Sequence, residues 1–530
     1  MDPWGLLALL PLLAGLLSAC AGSPPEIVDY APERGSVNVR TNEPIRITFD
    51  RAMDAASVAD RLHLLPATEG RVAWESPRQL TYLHPSLRPD TAYEVRLEAG
   101  YRDAAGNANS LRHRWPFRTE PPPALTAGSP ANGEQGVDPA SLITLTFSRE
   151  MDPASLPAAI SIAPFVPLSL RLESADRRRV LVAPSVLLEP GSPYSVAVTP
   201  DARDIDGNAL AAGAVVSFST GPRRPLQHWV SFLAQSAGEP AAAGVWIVDE
   251  NRLPRRLYAG LLAGFSWSGS GDRLLLALGD RRWAELGIGS DPRLLAFRAD
   301  WAAALDPARG YLYLDQGGLY LQPPNGAAEE LASGVGEAAV GPNGTRVAFT
   351  TSSGSLNEIR ALDVQLRTEY RLQTEPGPIR RLTWSPNGQH LAYLVLGSDP
   401  GSTLLRVRNL DGGGRSLTVA AGELDSPFWL ADSSHLLVSA TLSTSGGRLQ
   451  KAFRLSAAGM NQLSAGQGLP AGPLPVHDPR PSPDGHQVAF VADDGQLWLM
   501  NADGTGAVQL TSYDPAEFPY SCREPAWTRS

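Results

Sequence analysis

Laying residues 26–120 over 124–221 brings the same side chains into register. Phe49, Met53, Asp54 and Ser57 fall on Phe147, Met151, Asp152 and Ser155. Further on, Tyr93, Asp103, Gly106, Asn107, Phe117 and Thr119 fall on Tyr194, Asp204, Gly207, Asn208, Phe218 and Thr220, with a three-residue insertion in the second copy. A chain that repeats itself over about 100 residues must fold as two copies of one unit. In each unit the periodicity is two: Ile45-Arg46-Ile47-Thr48-Phe49 and Ile143-Thr144-Leu145-Thr146-Phe147 alternate apolar with polar, as do Tyr93–Leu97 and Tyr194–Val198. Such strands turn one face to a core and the other to water, and Pro- and Gly-bearing turns between them predict a two-sheet sandwich.

Leu87-Arg88-Pro89-Asp90-Thr91-Ala92-Tyr93 and Leu188-Glu189-Pro190-Gly191-Ser192-Pro193-Tyr194 have the form of a tyrosine corner, in which the phenol bonds back to nearby backbone. With a TF-x-x-x-MD-like start and a D-x-x-GN turn, both copies resemble SbsA-type bacterial Ig-like domains, which implies spacer or adhesive modules. Asp204-Ile205-Asp206-Gly207-Asn208 also has the opening of a calcium loop. An EF-hand would need Glu at its twelfth position, where Val215 stands, and Asp103-Ala104-Ala105-Gly106-Asn107 lacks the middle acid. A tight turn with glycine at positive φ accounts for both, and a cation site is the alternative.

Past Pro222–Pro225 the repeat shortens to the length of a propeller blade. The fullest copy runs Pro481-Ser482-Pro483-Asp484-Gly485, a strand, Gln496–Met500, Asn501-Ala502-Asp503-Gly504 and Val508–Thr511. Weaker copies start at Trp267, Leu305, Val340, Trp384 and Trp429. The pattern resembles the TolB-type (PD40-like) propeller repeat. The region opens with strands lacking a preceding turn segment (His228–Phe232, Val245–Val248) and ends with Pro525–Ser530, a turn segment with nothing after it. Each is the missing piece of the other, so the C-terminal strand is expected to close the ring. The fold class is therefore all-β, two Ig-like β-sandwiches (26–120 and 124–221) followed by a β-propeller (226–530). Seven blades are expected, with six or eight also open.

Leu6–Leu17 is an apolar run too short to span a bilayer but suited to a signal peptide. Leu17-Ser18-Ala19-Cys20 follows it and resembles the bacterial lipobox. That resemblance implies removal of residues 1–19, lipidation of Cys20, a tether over 20–25 and an extracytoplasmic, membrane-anchored protein. The leader departs from the pattern in having Asp2 and no Lys or Arg before the run. A plain secretory signal is the alternative. Cys522 is then the second and last cysteine, a packed or partly exposed free thiol, and two cysteines exclude a disulfide framework or a Cys-based zinc site. A net charge of −10 without a basic block gives nothing to attract nucleic acid, and no nucleotide-binding motif occurs.

No GxSxG, GxxxxGK[ST] or HExxH is present, so no catalytic residue, metal ligand or cofactor is assigned. His390, His435 and His486 share one repeat position and read as exposed turn residues. Trp267, Trp384, Trp429 and Trp527 share another and read as packing between blades. His228, His477 and Asp478 are the candidates for the channel or its loops. The expected function is non-catalytic: a stalk presenting a propeller to a protein partner or a cell-wall polymer. A channel enzyme acting on polysaccharide, and a TolB-like envelope assembly factor, are the alternatives.

Overall fold

The computed structural model describes residues 23–528 except 223–225, 227–228, 236–242, 250, 270, 288–289, 355, 399–400, 411–415, 465, 472–473 and 514–517. Cys20, His228 and the apolar leader therefore lie outside the described residues. Among the described residues helix is confined to single turns such as Ala55–Ala59, capped by Asp54, and none is long and apolar enough to cross a membrane.

In the first sandwich one sheet holds Ile27–Ala31, Ile45–Phe49, Gln79–Leu83 and Arg71–Ser76. The other holds Leu62–Leu65, Ala92–Leu97 and His113–Arg118. The period-two faces meet inside: Ile45, Ile47, Phe49, Val95, Leu97, Trp115 and Phe117 are buried. The second sandwich repeats this with Ile143, Leu145, Phe147, Val196, Val198 and Phe218. Both tyrosine corners form: the amide of Arg88 donates to the Tyr93 hydroxyl and that of Glu189 to the Tyr194 hydroxyl, each at 3.0 Å.

Both D-x-x-GN turns form as well. Asp103 Oδ1 accepts from the amides of Ala105 (2.9 Å) and Asn107 (2.8 Å), and Asp204 Oδ1 accepts from those of Asp206 (3.0 Å) and Asn208 (2.8 Å). Gly106 (φ 90°) and Gly207 (φ 84°) take the left-handed conformation that only glycine adopts without cost.

Among the described residues from Val230 onward, seven successive sheets form. Six have the pattern of four antiparallel strands; the fifth and sixth share the long strand Leu417–Trp429, and the sixth has three strands. In the first, Val230–Gln235 pairs on one side with Gly244–Val248 and on the other with Ser521–Trp527. The register sets Val230 against Trp527 and Ala234 against Cys522, almost the full length of the propeller apart in sequence. Beyond the strand, Trp229 N donates to Thr528 Oγ1 (3.0 Å) and Thr528 N to Trp229 O (2.9 Å). Val230, Phe232, Trp246, Phe518 and Cys522 bury this seam. Cys522 is packed, not exposed, and burial pushes its thiol up to about 12.

The sheets are locked to one another by two kinds of polar contact. Tryptophans at the repeat position donate their indole N–H across a sheet boundary: Trp384 to Ala339 O (2.9 Å), Trp429 to Thr383 O (3.1 Å) and Trp527 to Arg480 O (2.9 Å), with Trp267 reaching Ser231 Oγ (2.8 Å). Buried carboxylates do the rest. Glu285 accepts from Tyr311 (2.7 Å) and Arg273 (2.7 Å), and Glu375 from Tyr393 (2.7 Å) and Arg406 (2.8 Å).

The expectation for the repeat-position histidines needs correcting. Only His486 is exposed. His390 opens a strand and stacks on Trp429 at 5.7 Å, and His435, half-buried, bonds through Nδ1 to Asp432 (2.7 Å). His390 is covered by the Trp429 ring of the next sheet, and His435 is held by the carboxylate of its own turn.

Candidate binding site in the propeller channel

The first strand of each sheet lines the centre. Val335–Val340 lies beside Ile379–Trp384, then follow the C-terminal part of Leu417–Trp429, His477–Pro481 and Ser521–Trp527. Arg523 Nη2 donates to Leu262 O (3.2 Å), joining the last of these to Leu262–Trp267.

These strands share one irregularity. The pairing register slips between Leu262 and Gly264, Val335 and Ala338, Arg380 and Thr383, Asp425 and Phe428, His477 and Arg480, and Arg523 and Ala526. Each slip is a β-bulge, which kinks the strand and re-aims a side chain. It leaves Gly264, Glu337, Arg381, Ser426, Asp478 and Glu524 at one position, three residues before Trp267, Val340, Trp384, Trp429, Pro481 and Trp527. Four of the six are left-handed without being glycine: Arg381 (φ 59°), Ser426 (50°), Asp478 (47°) and Glu524 (50°). Each such residue costs of order 1–3 kcal/mol, and recurrent strain of this kind collects at functional sites.

The bulges carry charge into the channel wall. Glu337 Oε1 accepts from the Arg381 amide (3.0 Å), Arg381 faces Asp425 (3.5 Å), and Asp478 pairs with Arg480 (2.9 Å). Arg480 Nε donates to Pro525 O (2.8 Å), and its guanidinium lies 3.8 Å over the Phe428 ring. Burial raises the carboxyls of Glu337 and Glu524 and lowers the guanidinium of Arg480.

Where these strands end, aromatic, aliphatic and proline side chains join polar ones in the wall. A cavity of about 580 Å³ is lined by Pro342, Leu382, Trp384, Phe428, Trp429 and Pro481. A second of about 440 Å³ adjoins it through Val340 and Pro342 and is walled by Trp267, Trp301 and Leu305.

Of the residues singled out from sequence, His477 and Asp478 sit in a channel strand. His477 bonds through Nε2 to Asp493 (2.5 Å) rather than to a second channel group. Glu337, Arg381, Asp425, Arg480 and Glu524 escaped notice. For Glu337, Arg381 and Glu524 the signal was the shared offset from the repeat-position Trp or Val, obscured because each repeat fills it with a different residue; Asp425 and Arg480 stand off that position and carried none.

One group among the described residues has metal-ligand geometry: Glu120, Asp204 and Asp206, buried, with carboxylate oxygens within 4.8 Å of one another. It lies where the sandwiches meet. Its oxygens are engaged by protein: Arg40 Nε (2.9 Å) and Asn42 Nδ2 (3.0 Å) bond Asp206, Arg149 pairs with Glu120, and Asn208 Nδ2 reaches both Asp204 (3.0 Å) and Glu120 (3.2 Å). A guanidinium fills the role a cation would play.

The bacterial Ig-like domain model matches residues 21–119 and again 120–220. Residues 21–220 are two bacterial Ig-like domains in tandem. The chain is also 34% identical over 120 residues to the Tol-Pal system protein TolB of Anaeromyxobacter dehalogenans (strain 2CP-C), and equally so to that of Anaeromyxobacter sp. (strain K). Each match covers 22% of this chain and 25% of the relative, so the chain spans about a quarter of the length of the curated relatives it matches. Among solved structures, TolB from Acinetobacter baumannii is similar at 15% identity and a TM-score of 0.35, over 64% of this chain and 81% of that one. An oligogalacturonate lyase from Vibrio parahaemolyticus is similar at 11% identity and a TM-score of 0.37, over 56% and 90%.

Proposed function

We propose that this chain is an extracytoplasmic lipoprotein, anchored through Cys20, whose SbsA-type Ig-like domains hold a non-catalytic propeller off a membrane, and that the channel mouth binds a protein partner. The observation that carries this reading is the mouth itself. Its wall carries Trp384, Phe428, Trp429, Leu382 and prolines beside Thr383 and Ser482, with the tryptophans tied across sheets, and aromatic anchors of this kind dominate the energy of protein recognition. The relatives named as Tol-Pal system proteins favour a partner within the cell envelope over a cell-wall polymer. His84, His435 and His477 bond to backbone oxygens, to Asp432 and to Asp493 rather than to a serine or cysteine, which favours binding over nucleophilic chemistry.

The test is capture from membranes by mild crosslinking, with Ala431→Arg and Pro386→Asp as variants, both exposed rim positions of the mouth. The reading expects one envelope protein to be captured by the parent and lost from both variants. Unchanged capture would remove the mouth from the account. Cys20→Ala is expected to release the protein from membranes; retention of that variant would refute the anchor.

A further inference from the structure

The joint between the second sandwich and the propeller holds a cavity unrelated to the channel. Its two walls come from different domains. At its rim the backbone is continuous: Arg256 N donates to Ser185 O (2.7 Å), and Val186 and Arg256 form a parallel bridge. The cavity, about 220 Å³, is lined by Ser169, Arg171 and Ser185 from the sandwich and by Trp246, Arg252 and Ser512 from the propeller, among others. That is several times the ~30 Å³ that one water occupies, so a small ion with part of its hydration fits.

Its chemistry is one-sided. Two arginines and three serines line it, and no carboxylate does among the described residues. Arg171 Nη1 donates only to Arg252 O (3.3 Å), and the guanidinium of Arg252 has no acceptor among the described residues. Burial lowers the Arg171 guanidinium, the nearby Arg252 charge lowers it further, and Asp249 opposes both. Trp246 is 7% exposed, and its indole N–H has no partner among the described residues. The ring is fixed by Phe518 (5.5 Å), Tyr520 (5.3 Å) and Arg256 (5.7 Å). A buried donor is stabilised by an acceptor, and an anion would offset the repulsion between the two guanidinia. Arg252 is itself left-handed (φ 59°), a conformation kept by its surroundings.

We propose that this cavity binds a small tetrahedral oxyanion of the phosphate class, held by Arg171 from the sandwich and by Arg252 and Trp246 from the propeller. Two forked guanidinia and neutral donors suit a doubly charged tetrahedral group better than a planar carboxylate, which one arginine satisfies. Because its donors come from two domains, a bound anion ties the stalk to the propeller.

The test is titration calorimetry on the full chain carrying Cys20→Ala, with sodium phosphate against sodium chloride at equal ionic strength. Saturable heat is expected with phosphate alone, at least 10-fold weaker in Arg252→Gln and in Arg171→Gln, and reduced a few-fold in Trp246→Phe. Arg252 is exposed apart from the cavity, so its variant is expected to melt as the parent does without phosphate, which separates loss of binding from loss of fold. A parallel titration with glycerol phosphate identifies the source: tighter binding than phosphate assigns the site to a phosphoryl ester, weaker binding to the free ion. Heat no larger than with chloride, or equal affinity in Arg252→Gln, would overturn the proposal.

Discussion

The two sandwiches meet through side chains, whereas the propeller meets itself through backbone. At the sandwich joint Arg40, Thr41 and Asn42 of the first copy bond to Asp206 and Asn208 of the second, with Glu120 and Arg149 completing the cluster. At the propeller seam a strand ladder runs from Val230–Trp527 to Gln235–Ser521 over an apolar cluster. The first device is adjustable: charge and salt act on it, and removing one group leaves the others in place. The second is all-or-none, since a ladder must form in register or leave two open edges. A stalk tolerates the first; a ring that presents a shaped mouth requires the second.

The strongest way to break this contrast is to delete residues 521–530. The seam loses its strand, and Phe232, Trp246 and Phe518 lose their cover; the cooperative calorimetric transition of the propeller is expected to vanish while that of the sandwiches persists. Phe232→Ala attacks the same seam from inside and is expected to cost about 3–5 kcal/mol, as large-to-small changes in well-packed cores do, measured by denaturant unfolding.

Arg40→Ala tests the other joint. Arg40 is half-exposed over a buried Asp206, so screening limits the loss to about 1 kcal/mol. The pH dependence has a definite sign. Burial works to raise the Asp206 carboxyl, but its bond to Arg40 holds it below the usual range. Its stabilisation is therefore complete above the ordinary carboxylate pKa and is lost as pH falls through the lowered one. The Arg40→Ala penalty is thus expected at pH 7 and diminished near pH 3. Glu120 runs the other way, since burial raises it and its ionised form costs stability above its folded pKa. The smallest effect sharpens the comparison between the copies. Arg51 stands 3.7 Å from Asp103, the counterpart of Asp204, but outside the Arg40–Asp206 cluster, and Arg51→Ala is expected to leave the melting curve unmoved.

That same pair of turns shows what sequence can and cannot report. The Asp103 and Asp204 turns were legible because a carboxylate bonding the amides two and four residues on is local chemistry, and the corners of Tyr93 and Tyr194 were legible for the same reason. The repeat-position tryptophans announced packing between sheets, though not the indole–carbonyl bonds that direct it. Arg40 and Glu120 carried no sign of their role, being distant in the chain from Asp206 and outside the repeated pattern. The channel charges were hidden more deeply. A bulge breaks the period of two, so Glu337, Arg381 and Glu524 look like surface residues on a strand until the register slip is seen.

Cys522 offers the most direct test that the C-terminal strand closes the ring. In the Cys20→Ala protein it is the single thiol, buried in the seam with its pKa pushed up to about 12. Iodoacetamide at pH 8 is expected to leave the native protein unmodified and to alkylate it fully after denaturation. Rapid modification of the native protein would mean that Ser521–Trp527 is not seated beside Val230–Gln235, and that the ring is open.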